Sequence, residues 1–259
     1  TFQDFLSQSF NGKIQKISIH AGFTCPNRDG NKGFGGCTYC NNQTFSPAYC
    51  ATGKSVSTQL QEGIRFFARK YPQMDYLAYF QAYTNTYGKL DHLIALYEEA
   101  LSVPGVKGLV IGTRPDCMPE ALLDYLSMRS KSCFILVEYG VESTLDETLR
   151  FINRGHDFAC SEDAIRRTAT RGLFVGAHII LGLPHESREE ILGHALRLNQ
   201  LPLDTLKLHQ LQLIRHTRLA SQAETFLTGP HIPEQGLVVL TTARQRIAIR
   251  AECNPDGAG

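Results

Sequence analysis

The sequence predicts an α/β fold of parallel strands, built from six strand–helix units in a row. Short apolar runs alternate with amphipathic stretches between residues 16 and 211, and helix-start signals recur between them. Each apolar run also ends in a loop richer in polar, glycine or proline residues than the strand before it. Such alternation implies right-handed crossovers within one parallel sheet. Six units are too few to close an eight-stranded barrel. An open three-quarter barrel and a doubly wound sheet both remain open to the periodicity. Either one gathers the functional loops at the carboxyl ends of the strands.

The elements follow in order. Lys16–Gly22 is a short apolar strand leading into a cysteine-bearing loop. Ser55–Tyr71 is helical, because Val56, Leu60, Ile64, Phe67 and Tyr71 share one face. Asp75–Ala82 is a strand, and Leu90–Leu101 a helix that Pro104 stops. Val106–Ile111 is a strand, and Pro119–Met128 a helix with proline at its first position. Cys133–Glu138 is the fourth strand. Thr144–Glu147 reads as a capping box opening a short helix to Ile152. A helix from Ser161 to Arg171 has Glu162 and Asp163 in its first turn and Gly172 past its end. Val175–Leu181 is a strand, Ser187–Glu190 a second capping box opening a helix to Gln200, and Leu206–Leu211 the sixth strand. Residues 1–216 read as one core domain and 217–259 as a divergent C-terminal segment ending in a flexible tail.

The chain has 259 residues, 42% of them hydrophobic, which suffices for a substantial core without staples. Eight cysteines, irregularly placed, do not make a secreted disulfide scaffold. No signal peptide opens the chain, and no apolar run approaches the roughly 20 residues of a membrane span. The expectation is a soluble cytoplasmic protein with reduced thiols. Thr1 in place of a start methionine reads as a trimmed or partial chain. The net charge of +1 gives no polyanion-binding footprint, although a local basic rim can hide in a neutral total.

The unusual chemistry begins at Cys25, Cys37 and Cys40, spaced C-x11-C-x2-C, with Gly30, Gly33, Gly35 and Gly36 in the long gap. Glycines let such a loop fold back so that its ends meet. Four thiolates would close a zinc site, whereas three around a four-iron cluster leave one iron open to a cofactor. The residues alone also fit a zinc knuckle completed by His20, a redox pair, or buried structural cysteines.

The loop GGCTYC and its surroundings resemble the cluster loop of the radical S-adenosylmethionine (SAM) enzymes. The segments KISIHAGFTCPNRDG, YFQAYTNTY, IGTRPDC, VEYGVES, INRGHDF and ILGLPHES occur in the order found in YhcC-type proteins, over about residues 12 to 216. That branch, which includes the Elongator catalytic subunit, carries a long first gap where most of the superfamily has C-x3-C-x2-C. The resemblance implies an open partial (β/α)6 TIM-like barrel and a [4Fe-4S] cluster on Cys25, Cys37 and Cys40. It implies SAM at the open iron, cleaved by an electron to methionine and a 5′-deoxyadenosyl radical that takes hydrogen from a substrate. An external donor of flavodoxin or ferredoxin type would supply the electron.

The resemblance also assigns SAM contacts, each beside a plainer reading. Tyr39 would pack near the adenine, or simply pack the loop. Glu142 would accept from ribose hydroxyls, or serve as a helix N-terminal charge. Arg154, in NRGH, would grip the SAM carboxylate with two parallel bonds, or answer a helix dipole; His156 beside it would support the loop. His178 would contact ribose or face substrate, or sit in the core. The Gly-Gly-Glu motif that often binds the SAM amine is missing, and Tyr83, Thr84 and Asn85 stand in its place. Arg114 and Asp116 pair to brace their loop, and a buried Glu138 demands a partner. Lys207 and His209 point to the same side of the sixth strand. Cys117 and Cys160 read as structural. A small molecule, a peptide or a tRNA base all stay open as substrate. The competing function is a zinc-stabilised α/β binding protein, RNA-associated and without redox catalysis.

Overall fold

The computed structural model describes residues 1–41, 47–69, 73–228, 239–242 and 245–248. Its six strands are β1 (Ile14–Ile19), β2 (Asp75–Phe80), β3 (Val106–Thr113), β4 (Phe134–Glu142), β5 (Phe174–Leu181) and β6 (Thr205–Gln210). They form one parallel sheet in sequential order, β1-β2-β3-β4-β5-β6. A doubly wound sheet reverses its strand order at a switch point. This sheet has no reversal, so it curls as an open partial barrel whose edges, among the described residues, are β1 and β6. Two further strands, Val239–Thr242 and Gln245–Ala248, pair antiparallel as β7 and β8.

Eight helices are described: α1 (Phe2–Leu6), α2 (Val56–Ala68), α3 (Leu90–Leu101), α4 (Glu120–Arg129), α5 (Asp146–Phe151), α6 (Phe158–Ala169), α7 (Arg188–Leu198) and α8 (Arg218–Thr228). Helices α2, α3 and α6 cover the outer face of the sheet. The main core lies there, where Ile17, Ile19, Leu109, Ile111 and Val137 meet Leu60, Leu93, Leu122 and Ile165. Strands β2 to β4 are buried on both faces, and the β6 edge is largely open. Among the described residues no helix is long and apolar enough to cross a membrane.

The sequence reading missed α1, a single turn closed by a capping box between Thr1 and Asp4. It plugs the amino-terminal end of the barrel. Leu6 is buried with Leu77, Val110, Leu136 and Phe134, and the Phe5 ring meets Phe174 edge-on at 5.2 Å. The barrel interior is therefore apolar at its base and polar only above it.

Several helix starts differ from expectation. Leu145, not Thr144, caps α5, and it makes no side-chain cap bond. The Thr144 hydroxyl is engaged by His194 Nδ1 at 2.8 Å, so it is unavailable as a cap. Helix α6 begins at Phe158, because the Asp157 carboxylate accepts from Cys160 N–H and wins the cap position three residues early. Ser161 is consequently buried, and Glu162 and Asp163 fall outside the first turn. Pro119 is the cap of α4 rather than its first residue. The Ser187–Glu190 capping box forms as expected. Helix α2 ends at Ala68, and the expected extension to Tyr71 lies outside the described residues. The expected tail also lies outside them.

Leu6→Ala should lower stability by about 2–5 kcal/mol, the usual cost of emptying a buried leucine site. Urea denaturation should show a lower midpoint with an unchanged slope. An unshifted midpoint would mean that α1 does not plug the barrel.

Candidate functional site

The loop after β1 is held by backbone bonds before any side chain is considered. Arg28 N–H donates to Cys25 O at 2.8 Å, Gly36 N–H to Asn27 O at 2.8 Å, and Cys40 N–H to Cys37 O at 3.1 Å. Gln59 on α2 is fully buried and clamps the loop's start. It accepts from His20 N–H at 2.9 Å and donates to His20 O at 3.0 Å. The other end is tied to the α5–α6 connection, where Thr38 N–H donates to Ile152 O and Asn153 Nδ2 to Gly36 O, both at 2.9 Å. Helix α8 adds two more ties, from Leu219 N–H to Thr38 O and from Arg218 to Gly36 O. Arg218 and Leu219, at the start of the stretch expected to be a divergent C-terminal segment, thus help to position the loop.

This folding brings Cys25, Cys37 and Cys40 to the wall of one open cavity at the carboxyl ends of the strands. None of the three is in a disulfide. An arginine attends each one. Arg114 Nη1 lies 3.9 Å from Cys25 Sγ, and Arg154 Nη1 lies 3.6 Å from Cys37 Sγ. Arg28 donates to Cys40 O at 2.8 Å. Asn27 Nδ2 adds a contact of 3.9 Å to Cys37 Sγ. Burial and the nearby Cys37 raise the Cys40 thiol, and Arg28 works against them. His20 does not line this cavity; its ring packs against Tyr83, with centroids 5.6 Å apart. Among the described residues no three His, Cys, Asp or Glu side chains gather to hold a single metal ion.

The arginines are themselves fixed. Arg114 grips Asp116 with two bonds of 2.9 Å and donates to Arg154 O at 2.8 Å. Lys32 completes the Asp116 site at 2.7 Å. Burial favours the neutral Asp116 acid, but Arg114 and Lys32 outweigh it and hold the carboxyl well below its usual range. Arg154 donates to Gly140 O and stands 3.7 Å from Glu142 Oε1, while its Nε is buried without a protein partner. Gly140 leaves the space for this pair: a Cβ there would meet Glu142 Oε1 at 2.5 Å and Arg154 Nη2 at 2.8 Å. Burial, then the Arg154 charge, push His156 down to about 3, so its ring is neutral.

The remaining expected residues divide. Tyr39, Tyr83, Thr84, Glu142 and His178 line the cavity with the cysteines. Tyr83 and Glu142 both adopt positive φ, at 63° and 70°, a strain that favours functional sites. Asn85 lies behind the wall, its amide donating to Phe80 O at 3.0 Å and Gly112 O at 2.7 Å. His178 turns to Glu138, Nε2 to Oε2 at 3.0 Å, and Lys16 meets the other oxygen at 3.1 Å. The sequence reading did not single out Arg28, Asn27, Asn153 or Gln59. Arg28 and Asn27 carried a usable signal, since they follow Cys25 and Pro26 within the loop. Gln59 and Asn153 act only through the tertiary fold.

Known proteins share sequence and fold with this chain. The model of the radical SAM superfamily matches residues 25–198. YhcC of Escherichia coli K12 is 39% identical over 220 residues, covering 85% of this chain and 70% of that protein. YtqA of Bacillus subtilis is 34% identical over 224 residues, covering 86% and 70%. Among solved structures, the archaeal Elp3 of Methanocaldococcus infernus superposes with a TM-score of 0.59 at 17% identity, covering 82% of this chain and 49% of that one. Coproporphyrinogen III oxidase HemN of Escherichia coli, a radical SAM enzyme, gives 0.52 at 15% identity, covering 81% and 46%. The chain thus spans about half the length of these two structures, and the likeness to them is one of fold. The chain belongs to the radical SAM superfamily.

Asp116→Asn should cost about 3–5 kcal/mol at pH 7, because it leaves the buried Arg114 uncompensated. The folded pKa of Asp116 lies below its unfolded value of about 3.9. Its stabilisation is therefore present above that value and is lost as pH falls through the folded pKa. Urea denaturation of both proteins from pH 7 into acid should show the gap closing. A constant gap would mean that this carboxylate is not charged in the fold.

Proposed function

We propose that this radical SAM protein is an enzyme that holds a [4Fe-4S] cluster on Cys25, Cys37 and Cys40 and binds SAM beside it. The observation that carries this reading is the cavity wall itself: three thiols face one space, and a cation attends each. The chemistry of the donor set fits the group. Three soft sulfur donors suit an iron–sulfur cluster, and N–H groups near the sulfurs with positive charge around them are levers that set its potential. A single zinc ion wants a fourth ligand, and His20 is turned away to Tyr83. When bound, such a cluster supplies the electron that cleaves SAM to methionine and a 5′-deoxyadenosyl radical, which takes hydrogen from the substrate.

The chain's own residues bind and orient. Arg28, Arg114 and Arg154 offset the negative charge of the thiolates. Arg154 Nε, buried and unpartnered, is the N–H left for the SAM carboxylate. Glu142, held near Arg154, accepts from ribose hydroxyls. Tyr39 packs on Leu149, Ile152, Ile180 and Leu183 and presents its ring toward the adenine. Tyr83 and Thr84, at the wall, receive the amine in place of the missing acidic motif, and Asn85 braces them from behind. His178 belongs to the floor of the cavity rather than to the ribose. An external electron donor of flavodoxin or ferredoxin type completes the reaction.

Anaerobic reconstitution should give a brown protein that releases 5′-deoxyadenosine from SAM under strong reductant. A fully loaded cluster that never cleaves SAM would overturn the reading. Cys25→Ala, Cys37→Ala and Cys40→Ala should each abolish stable iron and sulfide binding, since two thiolates anchor a cluster poorly. Cys50→Ala and Cys133→Ala should leave iron content intact; Cys253 lies outside the described residues. Equal iron loss in both sets would show that the ligands are misassigned.

Arg154→Ala should keep the cluster and weaken SAM binding about tenfold or more, the loss of a charged hydrogen bond worth about 1.5–3 kcal/mol. Calorimetric titration of SAM into loaded wild type and variant measures this. Equal dissociation constants at full cluster occupancy would remove Arg154 from the SAM site.

A further inference from the structure

The floor of the cavity carries a second set of charges that the cysteine wall does not use. It comprises Glu138 on β4, His178 on β5, and Lys207 and His209 on β6, with Tyr79 on β2 beside them; Lys16 on β1 reaches Glu138 from below, its Nζ 4.3 Å from the centroid of the Phe2 ring in α1. Glu138 is buried, and both its oxygens are taken, Oε1 by Lys16 at 3.1 Å and Oε2 by His178 at 3.0 Å. Burial raises this carboxyl, yet the His178 bond and the Lys16 and Lys207 charges outweigh it and keep Glu138 ionised.

Lys207 is the odd member. Among the described residues its ammonium makes no hydrogen bond or ion pair. It lies 5.9 Å from the centroid of the Tyr79 ring, and Lys16 Nζ lies 4.5 Å from the same centroid. β1 and β6 are the two edges of the open sheet. One lysine therefore reaches inward from each side of the gap, over a shared aromatic floor. Two ammonium groups face one carboxylate that is already satisfied, which leaves positive charge in excess. Burial, with Lys16 close by, lowers the Lys207 pKa against the pull of Glu138. The residue as a whole stays open to solvent, so an anion can reach the ammonium without displacing a protein partner.

The position argues for substrate rather than SAM. Glu138 precedes Glu142 by four residues on β4, about 13 Å of strand. The charged floor thus lies well below the rim where the cysteines open. A second cavity continues from Glu142, His178 and His209 past Leu208, Leu211 and Ile214, giving a route in beside the β6 edge. His209 stands on this route, its ring 5.2 Å from that of His178. Burial first, then Lys207, lower its pKa, so it meets a ligand as a neutral imidazole with one donor and one acceptor.

We propose that Lys207, with Lys16 facing it across the gap and His209 nearer the rim, binds an oxyanion of the substrate, either a carboxylate or a phosphate. The assignment to substrate rests on the radical SAM reading; the oxyanion site does not. Bound there, the anion bridges the two edges of the barrel and fixes one end of the substrate beneath the SAM site.

Equilibrium dialysis of anaerobically reconstituted protein with radiolabelled phosphate and, separately, radiolabelled acetate tests this, with and without saturating SAM. Wild type should bind at least one of the two, and binding should persist with SAM present. Lys207→Gln should bind about tenfold or more weakly, as expected for a lost charged hydrogen bond. Lys207→Arg should retain most of the affinity, and Lys131→Gln, on the far exposed surface, should match wild type. Preference for phosphate or for acetate identifies the source of the oxyanion. No binding by wild type, displacement by SAM, or equal binding by Lys207→Gln would each overturn the proposal. Circular dichroism of each variant separates lost folding from lost binding. Failure of wild type to cleave SAM would sink the radical SAM reading while leaving the dialysis result to stand by itself.

Discussion

Three thiols facing one cavity set the constraint that the rest of the site answers. Thiolates held close repel one another, and burial penalises each charge. Opposite charges about 4 Å apart are worth about 4 kcal/mol near a protein surface, which counts against these costs without cancelling them at Cys40, whose thiol stays raised. The structure supplies guanidinium groups at that range and then immobilises them. Arg114 is locked by Asp116 and the Arg154 carbonyl, and Arg154 by Gly140 O and Glu142. The fold therefore builds its cysteine wall from the outside inward: acids fix arginines, and arginines attend cysteines.

The sequential strand order makes such a wall usable. All six loops lie at one end, and the gap between β1 and β6 gives lateral entry. The interior is graded along the strands. Phe134 and Leu136 pack on the α1 plug, Glu138 carries the floor charge, Gly140 clears space, and Glu142 reaches the rim. One strand, read every second residue, thus passes from core to chemistry.

Much of this was legible in the sequence because it depends on local pattern. The six units, the Ser187 capping box and the cysteine spacing all follow from neighbours in the chain. The need of Glu138 for a partner was readable too, as a carboxylate in an apolar strand. What escaped depends on contacts between distant segments. Gln59 clamps His20 from across a helix, and Thr144 bonds His194 from fifty positions away, forfeiting its cap. Helix α6 starts at Phe158 rather than at Ser161 because the Asp157 carboxylate caps it through Cys160 N–H. The order of the strands, which excludes the doubly wound sheet, is a tertiary property that periodicity does not encode.

The strain at Glu142 shows how the two levels meet. A register shift between Gly140 and Glu142 ends the regular pairing of β4 with β5 and turns the chain into positive φ. For a residue with a side chain this costs about 1–3 kcal/mol and persists only where the surroundings over-determine it. They do so on both sides. Before the turn, Arg154 holds Gly140 O and draws in the Glu142 carboxylate. After it, Ser143 Oγ donates to Glu186 Oε1 at 2.6 Å, and Glu186 Oε2 pairs with His194, which engages Thr144. Glu186 and His194 are both buried, so this second anchor is shielded from competing water. The lost Thr144 cap and the strained Glu142 are thus parts of one arrangement. The chain gives up a local helix signal and a relaxed backbone, and in return Glu142 is held at the cavity rim beside Arg154.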